Sequence, residues 1–190
     1  GKPVHDVTLT REPQKSIMSS RSFKKASADK ALLADALAYH VRHLAEDLRN
    51  NKSCAGKIRV SLYTAYRARL QSPGRSQEVS LVEKTSATNK LLACARAILE
   101  DLYTPNLPYQ KISVTFSQLE PFEYTSKNLF TQTETANSDL WRTLDKLNHQ
   151  YGKDTVRLGS TLREAEWQGQ CIRQSPAYLS SWQEVPVARA

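Results

Sequence analysis

Three stretches of this chain switch between apolar and polar at every second residue, and two others repeat apolar residues at helical spacing. The order in which they fall leaves few folds open. Ile58–Tyr66 alternates most strongly, with Ile58, Val60 and Leu62 on one side and Arg59, Ser61 and Tyr63 on the other. Tyr109–Phe116 repeats the pattern, setting Ile112, Val114 and Phe116 against Lys111, Ser113 and Thr115. Gln77–Glu83 places Val79 and Leu81 inward and makes a hairpin with the first stretch. The connection carries Arg67, Arg69, Pro73, Gly74 and Arg75, a long cationic tip. One helix is expected over Asp29–Asn50, with the stripe Leu33, Leu37, Val41, Leu44 and Leu48 and with Asp29 as its N-cap. A second is expected over Thr88–Tyr103, with Leu91, Leu92, Ala95, Ile98, Leu99 and Leu102 as its apolar face. Thr88 is placed to cap it and Pro105 to stop it.

Lys15–Lys25 reads as one more strand at the start of the domain. It holds four cations (Lys15, Arg21, Lys24 and Lys25) and no acid. An extended chain sets Ile17, Ser19, Arg21 and Phe23 on one face and Met18, Ser20 and Ser22 on the other. The order is then strand, helix, strand, strand, helix, strand. This predicts an α+β fold: a βαββαβ four-stranded sheet with two helices on one face, followed by a small C-terminal helical/β extension. Because its strands are apolar on one side only, the other side of the sheet stays wet. That open face would carry Arg59, Ser61, Tyr63, Lys111, Ser113 and Thr115.

Charge gives the open face a direction. Residues 1–75 hold 15 Lys and Arg against 6 Asp and Glu, whereas residues 76–120 hold 4 against 5 and residues 121–190 hold 8 against 8. All of the +8 net charge thus arises in the first 75 residues. Such a one-sided excess is the footprint of a polyanion-binding surface, and nucleic acid is the expected partner. A membrane surface would instead want a basic amphipathic helix, and the first helix mixes acids among its bases. The candidate nucleic-acid contacts are Lys15, Ser20, Arg21, Ser22, Lys24, Lys25, Arg59, Ser61, Tyr63, Arg67, Arg69, Arg75, Lys111 and Ser113. Lys15, Arg21, Lys24 and Lys25 would extend the open face along the first strand. The alternative is a solvated sheet whose cations only protect its edges.

Other chemistries find little support. His40 and His43 form an i,i+3 pair with no evident third metal ligand. Cys54, Cys94 and Cys171 are far apart and in no CxxC pattern, so reduced thiols in a cytoplasmic protein are expected. No motif links a cysteine to a histidine, which counts against a nucleophilic enzyme. No phosphate loop or GK[ST] motif occurs. No apolar run approaches a membrane span, and the N-terminal residues lack the apolar core of a signal peptide.

Beyond Pro121 the character changes. Phe122–Asn137 is polar and reads as a linker. Ser138–Gln150 reads as a short helix with Ser138 as N-cap, Leu140, Leu144 and Leu147 as its stripe and Gly152 at its left-handed end. Thr155–Leu158 reads as a strand. All three tryptophans, Trp141, Trp167 and Trp182, lie here. They would fill a small second core, or form a tail that folds on a partner. Residues 138–190 are nearly neutral, with seven Lys and Arg against six Asp and Glu, so they predict protein rather than DNA as the partner.

Several runs carry a family resemblance. Lys15–Phe23, the helix and strands that follow, and Tyr109-Gln-Lys-Ile-Ser-Val with its later Gln-Leu-Glu-Pro resemble the little finger domain of Y-family translesion DNA polymerases. Tyr151-Gly-Lys-Asp-Thr-Val-Arg-Leu-Gly, and Ser175-Pro-Ala-Tyr followed by Trp182 and Pro186, resemble the UmuC type within that family. The resemblance runs from about Gln14 to Ala190. It implies a leader over 1–14, a DNA-binding little finger over 15–120, a linker over 121–137 and an interaction region over 138–190.

The resemblance also implies what this chain would lack. Catalytic carboxylates and their metals belong to palm and finger domains that precede this region, so Mg2+ is expected for the parent polymerase and no cofactor for this fragment. The partners implied are primer–template duplex, a processed UmuD dimer, RecA and a sliding clamp. Similar polymerases end this domain with Gln-Leu-x-Leu-Phe. The matching Ser126–Phe130 keeps Leu129 and Phe130 as anchors beside Asn128 but departs at the Gln and first Leu, which implies weak clamp binding. Trp141, Trp167, Tyr178 and Trp182 would contact protein partners. The rival reading is a stand-alone RNA-binding module with a protein-interaction tail. It wants two or three stacking aromatics on the wet face, where only Tyr63 is well placed.

Overall fold

β4 (Tyr109–Ser117) lies at the centre of the architecture, because it pairs with strands on both sides. The computed structural model describes residues 13–65, 74–122, 135–152, 154–157 and 159. Within them the chain runs β1 (Ser16–Ser27), α1 (Lys30–Asn50), β2 (Ser53–Thr64), β3 (Arg75–Thr85), α2 (Thr88–Leu102), β4, β5 (Glu120–Pro121) and α3 (Thr135–Tyr151). The sheet order is β1-β4-β2-β3, with every pairing antiparallel and with β5 adding two residues alongside β2. The expected α+β fold, a βαββαβ sheet under two helices with a small C-terminal helix, is the observed one.

The apolar stripes meet as their periods require. Leu33, Leu37, Val41, Leu44 and Leu48 of α1 and Leu91, Ala95, Ile98, Leu99 and Leu102 of α2 are buried against Ile58, Val60, Leu62, Ile112, Val114 and Phe116 of the sheet. Phe23 closes the layer from β1. Asp29 caps α1, its side chain accepting from the Ala31 N–H at 2.8 Å. Gly74 enters β3 where a Cβ would stand 2.7 Å from the Leu62 carbonyl oxygen, so only glycine fits there.

Three local expectations are corrected. Thr88 is not a cap: Ala87 holds that position, and the Thr88 hydroxyl instead accepts from the Arg49 guanidinium at 3.0 Å. Ser138 is not a cap either, because α3 already begins at Thr135, inside the expected linker. Thr155–Val156 form a bend rather than a strand. Gly152 takes the left-handed conformation (φ +107) that ends α3, and the Thr155 hydroxyl donates to the Tyr151 and Gly152 carbonyls. Asn148 then holds the Val156 backbone through both its N–H and its carbonyl, at 2.8 and 3.1 Å.

Edge strand β1 is tied to α1 by a hydrogen bond of 2.7 Å between Ser19 Oγ and His40 Nδ1. His40 is buried, and this, followed by the charges of His43 and Arg21, lowers its pKa from 6.5 to about 4. Between those values the unfolded chain binds more protons than the folded one, so stability is full above about pH 6.5 and is lost as pH falls towards 4. The loss should be on the order of 3 kcal/mol. Chemical denaturation from pH 7 to pH 4 should show it, and His40→Gln should flatten that dependence.

Candidate nucleic-acid interface

Strand register decides which side chains share the open face, because partners across an antiparallel ladder point the same way. Four rows cross the sheet. Ser16, Ser117, Lys57 and Ser80 form the first, and Met18, Thr115, Arg59 and Glu78 the second. Ser20, Ser113, Ser61 and Ser76 form the third, one serine from each strand, and Ser22, Lys111 and Tyr63 the fourth. The serine row spans three strand spacings, about 14 Å. Ser61 and Ser113 are only 8% and 3% exposed although no helix among the described residues covers them. They form the floor of a shallow trough, with Tyr63 and Lys111 on one bank and Met18, Thr115 and Arg59 on the other.

The trough is cationic but not evenly so. The Lys111 ammonium sits 5.3 Å from the centre of the Tyr63 ring, a cation–π contact at the surface. Arg59 Nη2 meets Glu78 Oε2 at 2.8 Å, and Lys57 Nζ meets Glu78 Oε1 at 3.4 Å. Desolvation works to raise the Glu78 pKa, but hydrogen bonds and charge from Lys57 and Arg59 outweigh it and hold the carboxyl below its usual value. Lys57 and Glu78 were not among the expected site residues. Their signal was in the sequence, since the alternation of Ile58–Leu62 and of Val79–Leu81 extends to them.

Arg59, Ser61, Tyr63, Lys111, Ser113, Ser20 and Ser22 stand together on this face. Arg21 and Arg75 do not. They pair with Ile112 and Leu62 and so belong to the helix-covered side, at opposite edges of the row Arg21, Ile112, Leu62, Arg75. The period of two that brings Ser20 to the trough turns Arg21 away from it. Lys24 and Lys25 fall in the irregularity between Ser22 and Ser27, where the pairing no longer fixes a face, and Lys15 is exposed just before β1. Arg67, Arg69, Asn128, Leu129, Phe130, Trp167, Tyr178 and Trp182 lie outside the described residues.

On the far side, α3 docks on α1 through polar contacts. Arg49 binds both carboxylate oxygens of Asp145, at 2.6 and 2.8 Å, and lies over the Trp141 ring, 5.6 Å from its centre. Arg42 pairs with Asp154. Trp141 is 8% exposed, so it is not the free anchor for another protein that its residue type suggested. Leu140, expected to lie on the inner stripe, is 53% exposed, because the Trp141–Asp145–Asn148 side faces the domain. Asp145 also adds to burial in raising the Glu46 pKa. Cys54 is buried, and burial pushes the half-buried Cys94 thiol up, opposite to what a nucleophile needs. Among the described residues no three His, Cys, Asp or Glu converge to hold a metal ion, and no helix is long and apolar enough to cross a membrane.

Comparison with known proteins bears on the whole chain. Residues 14–129 match the impB/mucB/samB family C-terminal domain, and residues 138–188 match a domain of unknown function (DUF4113). The chain is similar to three proteins of Salmonella typhimurium. ImpB is 28% identical over 96% of this chain and 44% of its own length, and SamB 26% over 93% and 42%. UmuC is 23% identical over 97% and 44%. The chain thus spans under half the length of these relatives. Among solved structures it is similar to a complex of a beta-clamp processivity factor and the little finger domain of PolIV, with a TM-score of 0.43 and 12% identity over 61% of this chain and 99% of the other. A Y-family DNA polymerase chimera, Dbh-Dpo4(243-245)-Dbh, gives a TM-score of 0.47 and 11% identity over 62% of this chain and 32% of the other.

The Arg49 junction makes a direct prediction. Arg49→Ala strands the Asp145 carboxylate and uncovers the Trp141 ring, at a cost of about 2 kcal/mol to the docking of α3. With Trp167→Phe and Trp182→Phe as background, Trp141 emission should shift to the red in Arg49→Ala. An unshifted spectrum would mean that the guanidinium does not hold the helix.

Proposed function

This chain belongs to the impB/mucB/samB family, carrying its C-terminal domain over residues 14–129, and on that premise we propose that it is the DNA-gripping part of an error-prone translesion DNA polymerase. The observation that carries the proposal is the trough: a row of four serines on a sheet face that also carries Lys57, Arg59 and Lys111 and has no helical cover among the described residues. A sugar–phosphate strand can approach such a floor closely, because serine adds little height. Hydroxyls donate to phosphate oxygens, and the cations replace the counterions that the phosphates release. None of these contacts reads a base edge, which suits an enzyme that must extend past damaged bases. Tyr63 is the single aromatic in the four rows, so the trough favours duplex backbone over stacked single-stranded RNA.

The remaining roles are proposals on the same premise. Polymerisation, with Mg2+ supporting phosphoryl transfer, is assigned to the rest of the parent enzyme, and this chain positions the duplex for it. A processed UmuD dimer and RecA are proposed as partners of residues 138–190, and a sliding clamp as a weak partner of Asn128, Leu129 and Phe130. A DNA-damage role in the cytoplasm follows from the parent polymerase.

Salt titration tests the grip. Each phosphate contact contributes about −0.9 to the slope of log affinity against log salt. Arg59→Ala with Lys111→Ala should weaken primer–template binding and make the slope shallower, equally on unrelated sequences, by about 0.9 for each of the two that neutralises a phosphate in the wild type. Arg21→Ala with Arg75→Ala removes the same charge from the helix-covered side and should change the slope less. Equal effects of the two pairs would move the interface off the trough.

A further inference from the structure

The single acid among the four open-face rows is Glu78, and it occupies two of the three cations there, Lys57 and Arg59. We infer that Glu78 is a tethered competitor of the DNA phosphate, an affinity-limiting residue placed inside the grip. This rests on the duplex-backbone reading of the trough and says how strongly that surface can hold.

The chemistry follows from the geometry. One carboxylate oxygen, Glu78 Oε2, meets both Nε and Nη2 of Arg59, at 3.1 and 2.8 Å, as a single phosphate oxygen could. Lys57 donates to the other oxygen at 3.4 Å. For both cations to meet phosphates through these same N–H groups they must leave Glu78, whose charge then stands unpaired beside the incoming anion. The exchange trades one charged hydrogen bond for another, and the freed carboxylate draws back a counterion, so these two cations gain little net affinity and little salt dependence. Lys111 lies outside this arrangement, against the Tyr63 ring. The side chains of Glu78 and Arg59 are 30% and 53% exposed, so the pair can open without unpacking the core. Holding edge strand β3 against β2 is a second use of the same ion pair, and it does not require DNA.

The test is Glu78→Gln, an isosteric change that keeps hydrogen bonding and removes the charge. Binding of the full chain to a fluorescein-labelled primer–template duplex is followed by anisotropy across a range of salt, with folding checked by circular dichroism melts. Glu78→Gln should bind about three- to tenfold tighter at low salt, with a slope steeper by about 0.9 to 1.8. Arg59→Ala should cost more affinity in the Glu78→Gln background than in the wild type, a coupling that a purely strand-pinning role would not produce. Unchanged or weaker binding by folded Glu78→Gln, while the wild type binds in a salt-dependent way, overturns the competitor role and leaves the grip standing. A wild type without salt-dependent duplex binding overturns both.

Discussion

The structure depends on the double pairing of β4, whose apolar residues can be buried on one side only. Ile112, Val114 and Phe116 meet Leu62, Val60 and Ile58 across one ladder, and each lies under a helix. The residues between them, Lys111, Ser113 and Thr115, then point to the uncovered side. Two helices cover one face of a four-stranded sheet, and nothing in the βαββαβ order supplies a cover for the other. The open face is thus a consequence of the core: the alternation that builds one face leaves the other polar and, among the described residues, without a helix over it.

The two faces handle charge differently. On the open face the cations lie in the plane of the sheet, over a floor of serines, where Glu78 restrains two of them. On the helical face Arg42 and Arg49 are largely buried and spent on Asp154 and Asp145, which fasten α3 to α1. The basic excess of the first 75 residues is therefore not one reservoir. Part of it is internal, holding the C-terminal helix, and part stands on the open face of the sheet.

The docking of α3 shows why residue type alone misled about the C-terminal region. A tryptophan in a nearly neutral segment suggests an interface, and a leucine stripe suggests the buried side of a helix. Trp141 instead fills the space beside Arg49, and Leu140 stays outside. The choice is made by the bidentate Arg49–Asp145 pair, whose geometry fixes the rotation of the helix more strictly than apolar burial would.

The sequence by itself determined the βαββαβ order, the core face of β2, β3, β4, α1 and α2, the Asp29 cap, the Gly152 terminus and the polar identity of the open face. All of these follow from periods of two and 3.6 within single segments. Only the tertiary structure decided which polar residues stand beside each other. Ser20, Ser113, Ser61 and Ser76 become one row, and Glu78 becomes the partner of Lys57 and Arg59, through register between strands up to 93 residues apart. The same register moved Arg21 and Arg75 to the other side. Alternation states that neighbours along a strand face opposite ways, but the offset between two strands is set by the turns, bulges and packing that join them, and no single segment contains that information.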